Sequence, residues 1–436
     1  MSRRSPLLPI FLIVLVDVLG FTIVIPLLSL YAEKFGASAL VATTLVSVYA
    51  LCSLVSTPII GKLSDQFGRK PLLLVSQAGT CAGFLILGSA GALWMVFLGR
   101  ILDGVTAGNL SLAQAYISDH TLPENRAKSF GVIGIAFGIG FMAGPGLGGY
   151  LDRYEDIAGI HPAFLVAASL SALSILATAT LLTSEKPATE GDLIGGSPAG
   201  FAGRGAEARE SIGPAGKRPS AFDWATYAEY FRRPVLRVLY VQFLLFSFAF
   251  SAFFSGFALF AERRFIRDNH PWTATEVGYL FMFSGFLGII LQGGILGRLV
   301  KRYGELKLTI AGFCAAVVAY FLVGLAPSEN LKFLVVATIV ASFANGVLRP
   351  VITSRITKAV GRHEQGVALG ISGSLGSIAM ALGPPAGGLM LSQEWTFGWA
   401  MIPMGAAVIG LVATVVSGVR GEPAGAPPAA ELHSGP

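Results

Sequence analysis

Long apolar runs, each close to the length of a bilayer crossing, alternate with short polar or glycine-bearing breaks along almost the whole chain. A spanning helix needs roughly 20 mainly apolar residues. Twelve runs meet that need: residues 7–32, 39–60, 71–90, 93–118, 128–150, 162–183, 235–261, 275–297, 307–326, 331–357, 366–391 and 394–418. Between the sixth and seventh runs the pattern changes to Gly, Pro, Ala and mixed charge without apolar periodicity, which reads as a flexible linker. The "FDWATYAEYFRR" that follows pairs aromatics with arginines and predicts a short interfacial helix before the seventh span. The chain therefore divides into a six-helix half (1–183), a linker with its short helix (184–234), a second six-helix half (235–418) and a Pro/Ala/Gly-rich disordered tail (419–436). The expected class is an all-α integral membrane protein with twelve transmembrane helices in two pseudo-symmetric bundles.

Composition supports the same class. Hydrophobic residues make up 53% of the chain and charged residues 13%, against about 25% charged in soluble domains, and the mean hydropathy is +0.68. Cys52, Cys81 and Cys314 all fall inside predicted spans, with neither CxxC spacing nor a second ligand cluster, so no disulfide framework or metal site is expected. The first apolar run is too long for the core of a cleavable signal. In a soluble protein a net charge of +6 would point to nucleic acid; here orientation accounts for it. Of the 31 Lys and Arg residues, 22 fall on the face formed by the termini and the even-numbered connections, 6 on the other face and 3 inside spans. Basic residues mark the cytoplasmic side, so a multi-pass protein of the cell (inner) membrane with both termini cytoplasmic is expected. The exception is "ERRFIRDNH" at 262–270, read as a headgroup contact on the outer side.

The two halves repeat one another. "GKLSDQFGRK" (61–70) after the second span is answered by "GRLVKRYGEL" (297–306) after the eighth, with Gly61, Leu63 and Gly68 matching Gly297, Leu299 and Gly304. In the fifth span, Gly131-x8-Gly140-x3-Gly144-Pro145-x2-Gly148-Gly149 is answered in the eleventh by Gly370-x8-Ala379-x3-Gly383-Pro384-x2-Gly387-Gly388. A phosphate loop needs a preceding strand and a following Lys-Ser/Thr. The fifth-span motif has neither, so its glycines are expected to let another helix approach closely.

These motifs carry a resemblance. "GKLSDQFGRKP" resembles the signature loop of the major facilitator superfamily. The glycine-proline pattern of the fifth span resembles the fifth-helix motif of its drug/proton antiporters, and "LGRILDGVTAG" (98–108) its fourth-helix arginine motif. From about residue 8 to 418 the chain is most similar to tetracycline-type efflux proteins. The resemblance implies alternating access. It also implies a cytoplasmic gate built from Gly61, Asp65, Gly68, Arg69, Lys70 and Asp119, in which the aspartates and arginine clasp the two halves together. Read without the family, Gly61 and Gly68 would allow a tight turn, and Asp65 would pair with a base or cap a helix N-terminus.

Charges inside spans point to function, since each costs roughly 2.5–3.5 kcal/mol to insert. Asp17, Arg100, Asp103 and Arg349 stand out. On a continuous fourth helix, Arg100, Asp103, Ser111, Gln114 and Ser118 share one stripe, with Asn109 opposite. That stripe should face a central cavity, and Arg100 and Asp103, three apart, can pair. Asp17 is the lone acid of the first span. A lone carboxyl at low dielectric is expensive to keep charged unless a cation offsets it, which suits a group that exchanges a proton with either side. Asp17, Arg100 and Asp103 are therefore the proton-coupling candidates, and the resemblance also implies an acid early in helix 1. The chain departs from tetracycline-type exporters in the third span, where Gly83 stands near the place of their second acid, and at Asp103, where they carry a small or apolar residue. Ser111, Gln114, Asn345 and Arg349 are the substrate-binding candidates, the last two sharing a face of the tenth span with Thr353. Phe243, Phe246, Phe250, Phe253, Phe257 and Phe260 form a broad face of the seventh span. It is expected to meet lipid, with a pocket for aromatic compounds as the alternative.

The resulting expectation is a proton antiporter exporting a small amphiphilic compound, working as a monomer in a lipid bilayer, without a cofactor, metal or nucleic-acid partner. A proton-coupled importer and a non-transporting membrane sensor are the alternatives. An enzyme is not expected: there is no Walker lysine, no metal-ligand spacing and no nucleophile–base pair.

Overall fold

The computed structural model describes residues 7–120, 126–154, 160–182, 224–267, 269–328, 331–361 and 364–419. The side chains of 118–120 and 126–132 are not among those described, so Asp119, Ser118 and Gly131 lie outside, as do most of the predicted linker and the tail. The first half comprises α1 (Leu7–Glu33), α2 (Ala39–Phe67), α3 (Arg69–Gly88), α4 (Leu93–Val105), α5 (Asn109–His120), α6 (Arg126–Leu151) and α7 (Pro162–Leu181). The short α8 (Trp224–Arg232) precedes the second half: α9 (Pro234–Arg264), α10 (Ala274–Ile290), a π-helical turn (Leu291–Ile295), α11 (Leu296–Tyr303), α12 (Glu305–Leu325), α13 (Leu331–Lys358), α14 (Gln365–Ser392) and α15 (Thr396–Val419). A two-residue antiparallel pairing, Ile266–Arg267 with His270–Pro271, is the one small sheet among the described residues.

Eleven of these segments are long and apolar enough to cross a membrane on their own. The fourth crossing is the exception. The sequence predicts one helix over 93–118, but the chain leaves helical geometry between α4 and α5, at Thr106, Ala107 and Gly108. Neighbouring hydroxyls make that break tolerable. Ser56 donates to the Gly104 carbonyl (2.7 Å), Thr57 to Ala107 (3.1 Å) and Ser76 to Thr106. A backbone carbonyl without a partner at this depth would cost several kcal/mol. The stripe drawn at 100° per residue from Arg100 to Gln114 therefore does not survive, because the break resets the helical phase between Asp103 and Ser111.

Helix ends follow local chemistry. Ser38 accepts from the Val41 amide at the start of α2, and Thr273 with Glu276 forms a capping box on α10. Gly68 joins α2 to α3 at φ +93°, and its repeat partner Gly304 joins α11 to α12 at φ +78°, a region open to glycine at little cost. The α2 helix runs straight through the rest of the signature segment, so Gly61 is helical and only Gly68 makes the turn.

Each half packs around its first helix, α1 on α6 and α7, and α9 on α14 and α15. The halves meet where α2 lies on α14 and α6 on α10. The twin glycine motifs build both kinds of contact. A Cβ on Gly144 would fall on the Thr22 side chain of α1, and one on Gly383 would meet the Ala252 nitrogen and Phe248 carbonyl of α9. Gly149 touches Ala274 of the other half, and Gly388 touches Thr43 and Leu40 of the other half. The pseudo-symmetry read from the sequence thus extends to which glycine faces which neighbour.

These cross-half contacts lie toward one end of the bundle, the end bearing residues 34–38. There Glu33 pairs with Arg263 (2.6 Å), Arg153 donates to the Thr275 hydroxyl (3.2 Å), and that hydroxyl donates to the Gly149 carbonyl (2.6 Å). At the linker end the halves separate. Gly61 lies about five turns along α2 from Thr43, and Gly370 about five turns along α14 from Gly388, each on the same face as its partner. Neither has anything within 4 Å of an added Cβ. Among the described residues, the halves are closed together at the far end and apart at these two positions of the linker end.

Candidate functional site

Asp17 lies midway along α1, and its carboxyl points into the first half. The Gln77 amide of α3 and the Ser174 hydroxyl of α7 are within its reach, and the charge of Asp103 bears on it. Gln77 itself donates to Ser174 (2.8 Å), and Ser174 donates on to the Ile13 carbonyl (3.4 Å). One carboxyl oxygen, Asp17 Oδ1, is buried without a hydrogen-bond partner among the described residues. Asp103 pairs with Arg100, as their spacing predicts, and both are buried, at 3% and 2% exposure. The Arg100 guanidinium also lies over the Tyr49 ring, 4.9 Å from its centroid, a favourable cation–π placement. Among the described residues, Arg100 engages Asp103 and Tyr49 rather than Asp17.

Gly83 explains how Asp103 fits. A Cβ at Gly83 would stand 3.2 Å from the Asp103 Cβ and 3.0 Å from the Gly99 carbonyl, so α3 and α4 close tightly where the acid emerges. The acid of this chain thus sits on the fourth crossing, opposite a glycine on the third. Neither Tyr49 nor the Gln77–Ser174 pair was singled out from the sequence. Both were detectable as polar groups in otherwise apolar spans, but only tertiary contact assigns them to Arg100 and Asp17.

The signature segment divides its work. Asp65 pairs with Arg69 within the same half (2.5 Å), and Arg69 also donates to Ser64. Lys70 turns the other way, donating to the Ala179 (2.8 Å) and Leu182 (2.7 Å) carbonyls at the C-terminus of α7, where a cation complements exposed carbonyls. With the linker end open, the pairs these groups make with described residues stay inside the first half.

The central face of the second half differs from expectation. The phenylalanine face of α9 does not meet lipid. Phe243, Phe246, Phe253, Phe257 and Phe260 are all at or below 9% exposure, because α9 is the central helix of its bundle, with Phe253, Phe257 and Phe260 packed on Trp399, Tyr320 and Phe281. Arg349 is exposed, and its guanidinium has no hydrogen-bond, ion-pair or ring partner among the described residues. Asn345 is half-buried one turn away on the same face. Ser111 is half-buried and bonded to the Gly108 carbonyl (3.0 Å), while Gln114 is exposed. The arginines of the 262–270 segment are held by protein partners: Arg263 by Glu33, Arg264 by the Ala326 carbonyl (3.0 Å) and Arg267 by Glu276 (3.7 Å). Among the described residues, no group of three or more His, Cys, Asp or Glu side chains comes together to hold a metal.

Two pseudo-symmetric helical bundles, closed at one end over buried charges at mid-depth, define a multi-pass membrane transporter rather than an enzyme. The profile described as Major Facilitator Superfamily matches residues 10–328 and 264–434, and the chain belongs to that superfamily. It is 28% identical over 387 residues to the class C tetracycline resistance protein of Escherichia coli, covering 88% of this chain and 89% of that one. It is 26% identical over 400 residues to multidrug resistance protein 1 of Bacillus subtilis (strain 168), covering 91% and 92%. Among solved structures, it shares the fold of a bacterial homologue of the human lysosomal transporter Spinster in an inward-facing, unoccupied conformation, with TM-score 0.69, 15% identity and 96% coverage of each chain.

Proposed function

We propose that this transporter exports a small amphiphilic compound in exchange for protons, as a monomer in the cell membrane with both termini cytoplasmic. The observation that carries the reading is Asp17. It is a mid-membrane carboxyl with one oxygen buried and unpartnered, flanked by neutral donors and near a second acid rather than a cation. Holding such a group charged is expensive, so it gains by taking a proton from one side and releasing it to the other. A membrane potential supplies about 2.3 kcal/mol per charge per 100 mV. The bias of basic residues makes the open, linker end cytoplasmic, where an exporter collects its cargo. Asp103 and Arg100 form the second part of the coupling site, with Asn345 and Arg349 as substrate contacts. Similarity to tetracycline and multidrug resistance proteins supports export over import.

The test is transport in inside-out vesicles under an imposed proton gradient, with a panel of drugs and metabolites. Uptake accompanied by proton release from the lumen is expected. Protons and compound moving in the same direction would overturn antiport, and unchanged coupling in Asp17→Asn would remove that residue from the site.

A further inference from the structure

An aromatic ladder crosses the seam between the halves. Phe137 and Phe141 of α6 stack at 6.2 Å. Phe141 meets Phe254 of α9 at 6.1 Å, and Phe254 stacks on Phe250 at 5.3 Å with their planes 14° apart. These four rings are only half-buried, unlike the core phenylalanines behind them. Phe250 and Phe254, one turn apart on α9, reach the first half through Phe141, with Ser247 and Ser251 beside them and Ser251 against Gly383 of α14. Ser247 and Ser251 are 5% and 9% exposed, and both hydroxyl oxygens lack a partner among the described residues. Buried hydroxyls ordinarily find one.

Arg349 lies at the same depth. Arg355 of α13 donates to Gln242 of α9 (3.4 Å), and the two helices run in opposite directions. Six residues back along α13 from Arg355 is therefore level with six residues forward along α9 from Gln242, about 9 Å away at 1.5 Å per residue. That puts Arg349 level with residue 248, between Ser247 and Phe250. Arg349 shares its helical face with Ser342 and Gly346, which meet Ser284 and Leu291 of the adjoining crossing. Where Arg349 itself lies, that crossing has entered its π-helical turn, and Gly293 and Gly294 there have nothing within 4 Å of an added Cβ. The guanidinium therefore has room around it and no protein partner among the described residues.

We propose that the cargo is a planar aromatic compound bearing an anionic group, its ring on the Phe137–Phe141–Phe254–Phe250 ladder and its anion on Arg349 with Asn345. This rests on the transporter reading above and names its substrate class. A phenylalanine surface accepts flat rings in offset stacks worth about 0.5–1.5 kcal/mol each beyond area burial. A guanidinium with no competing carboxylate takes an anionic oxygen through charge-assisted bonds. Asp103 of the first half is already engaged by Arg100, and among the described residues Arg349 is the cation left without a partner at this level.

The test is equilibrium binding to purified protein in lipid nanodiscs without a proton gradient, with empty nanodiscs as the blank. Three probes are compared: naphthalene-2-sulfonate, N,N,N-trimethyl-2-naphthylammonium and cyclohexanesulfonate. The aromatic anion is expected to bind about tenfold or more tightly than either of the others, the range of one charge-assisted bond. Arg349→Gln should abolish its advantage over the aromatic cation, and Arg349→Lys should restore part of it. Phe141→Leu with Phe254→Leu should abolish its advantage over cyclohexanesulfonate. Equal or tighter binding of the cation by the unmodified protein overturns the proposal, as does an anion preference unchanged in a monodisperse Arg349→Gln protein. Because no gradient is applied, the anion preference without proton exchange in vesicles would sink antiport alone. Proton-driven export of other compounds without the preference would sink the substrate class alone.

Discussion

Gly61 and Gly144 are both motif glycines, yet they do opposite things. Gly144 is in contact: any side chain there collides with Thr22, whose hydroxyl also donates to the Gly140 carbonyl at 2.9 Å. Gly61 is mid-helix with open space around it. Gly144→Ala should therefore destabilise the purified protein by about 1–3 kcal/mol, the usual result of overpacking, visible as a lower thermal unfolding midpoint. Gly61→Ala should leave that midpoint unchanged or raise it, since glycine in a helix interior is worth about 0.5–1 kcal/mol less than alanine. It should nonetheless slow turnover, because the face it occupies must close against the other half. Motif membership marks both residues; only the neighbours distinguish a present contact from one still to be made.

At the scale of elements, two junctions carry most of the information. The break between α4 and α5 is held by Ser56, Thr57 and Ser76. Ser76→Ala leaves the Thr106 carbonyl unpaired and should cost about 1–3 kcal/mol, again read as a lower unfolding midpoint. The second junction docks α8. Arg233 forks onto both Glu364 oxygens at the start of α14 (3.0 and 2.8 Å) and lies over the Tyr230 ring. Tyr227 donates to Ser374 nearby (2.5 Å). The bond from Arg233 holds the Glu364 carboxyl below the ordinary glutamate range. A lowered carboxylate stabilises the docked form above its ordinary titration range, and that stabilisation disappears as pH falls through the lowered value. Hydrogen exchange of residues 224–232 should accordingly be slow at neutral pH and quicken on acidification below the ordinary glutamate range. In Glu364→Gln it should be fast throughout, with no pH step.

For the whole molecule, alternation requires the far end to open while the linker end closes. Thr43 and Gly388 touch now; Gly61 and Gly370, on the same two faces, do not. In a background with Cys52, Cys81 and Cys314 replaced, Thr43→Cys with Gly388→Cys should cross-link readily and stop transport until reduced. Gly61→Cys with Gly370→Cys should cross-link only when the opposite state is populated, and faster once Glu33→Gln removes the Glu33–Arg263 pair from the closed end. Equal cross-linking of both pairs regardless of Glu33 would rule out a two-state seam along α2 and α14.

Apolar length and repetition in the sequence sufficed for the class and the duplication, and the resemblance of its motifs carried the superfamily. A bilayer leaves few ways to satisfy a backbone, and a close helix contact leaves few residues besides glycine. The same legibility extends to the Arg100–Asp103 pair, which is local to one turn. What depended on tertiary structure was everything set by a neighbour distant in sequence. The seventh-span phenylalanines look lipid-facing by periodicity, but α9 lies between its own bundle and the seam with the first half. The fourth span looks continuous by hydropathy, but hydroxyls from α2 and α3 allow its backbone to open. Asp17 is written as a lone acid, and only α3 and α7 folding around it leave one oxygen without a donor. Arg349 reads as one more intramembrane charge until the fold leaves it without a partner among the described residues and level with an aromatic seam. Periodicity reports the length and the faces of a helix; which face is covered, and by what, is decided by the helices that pack against it.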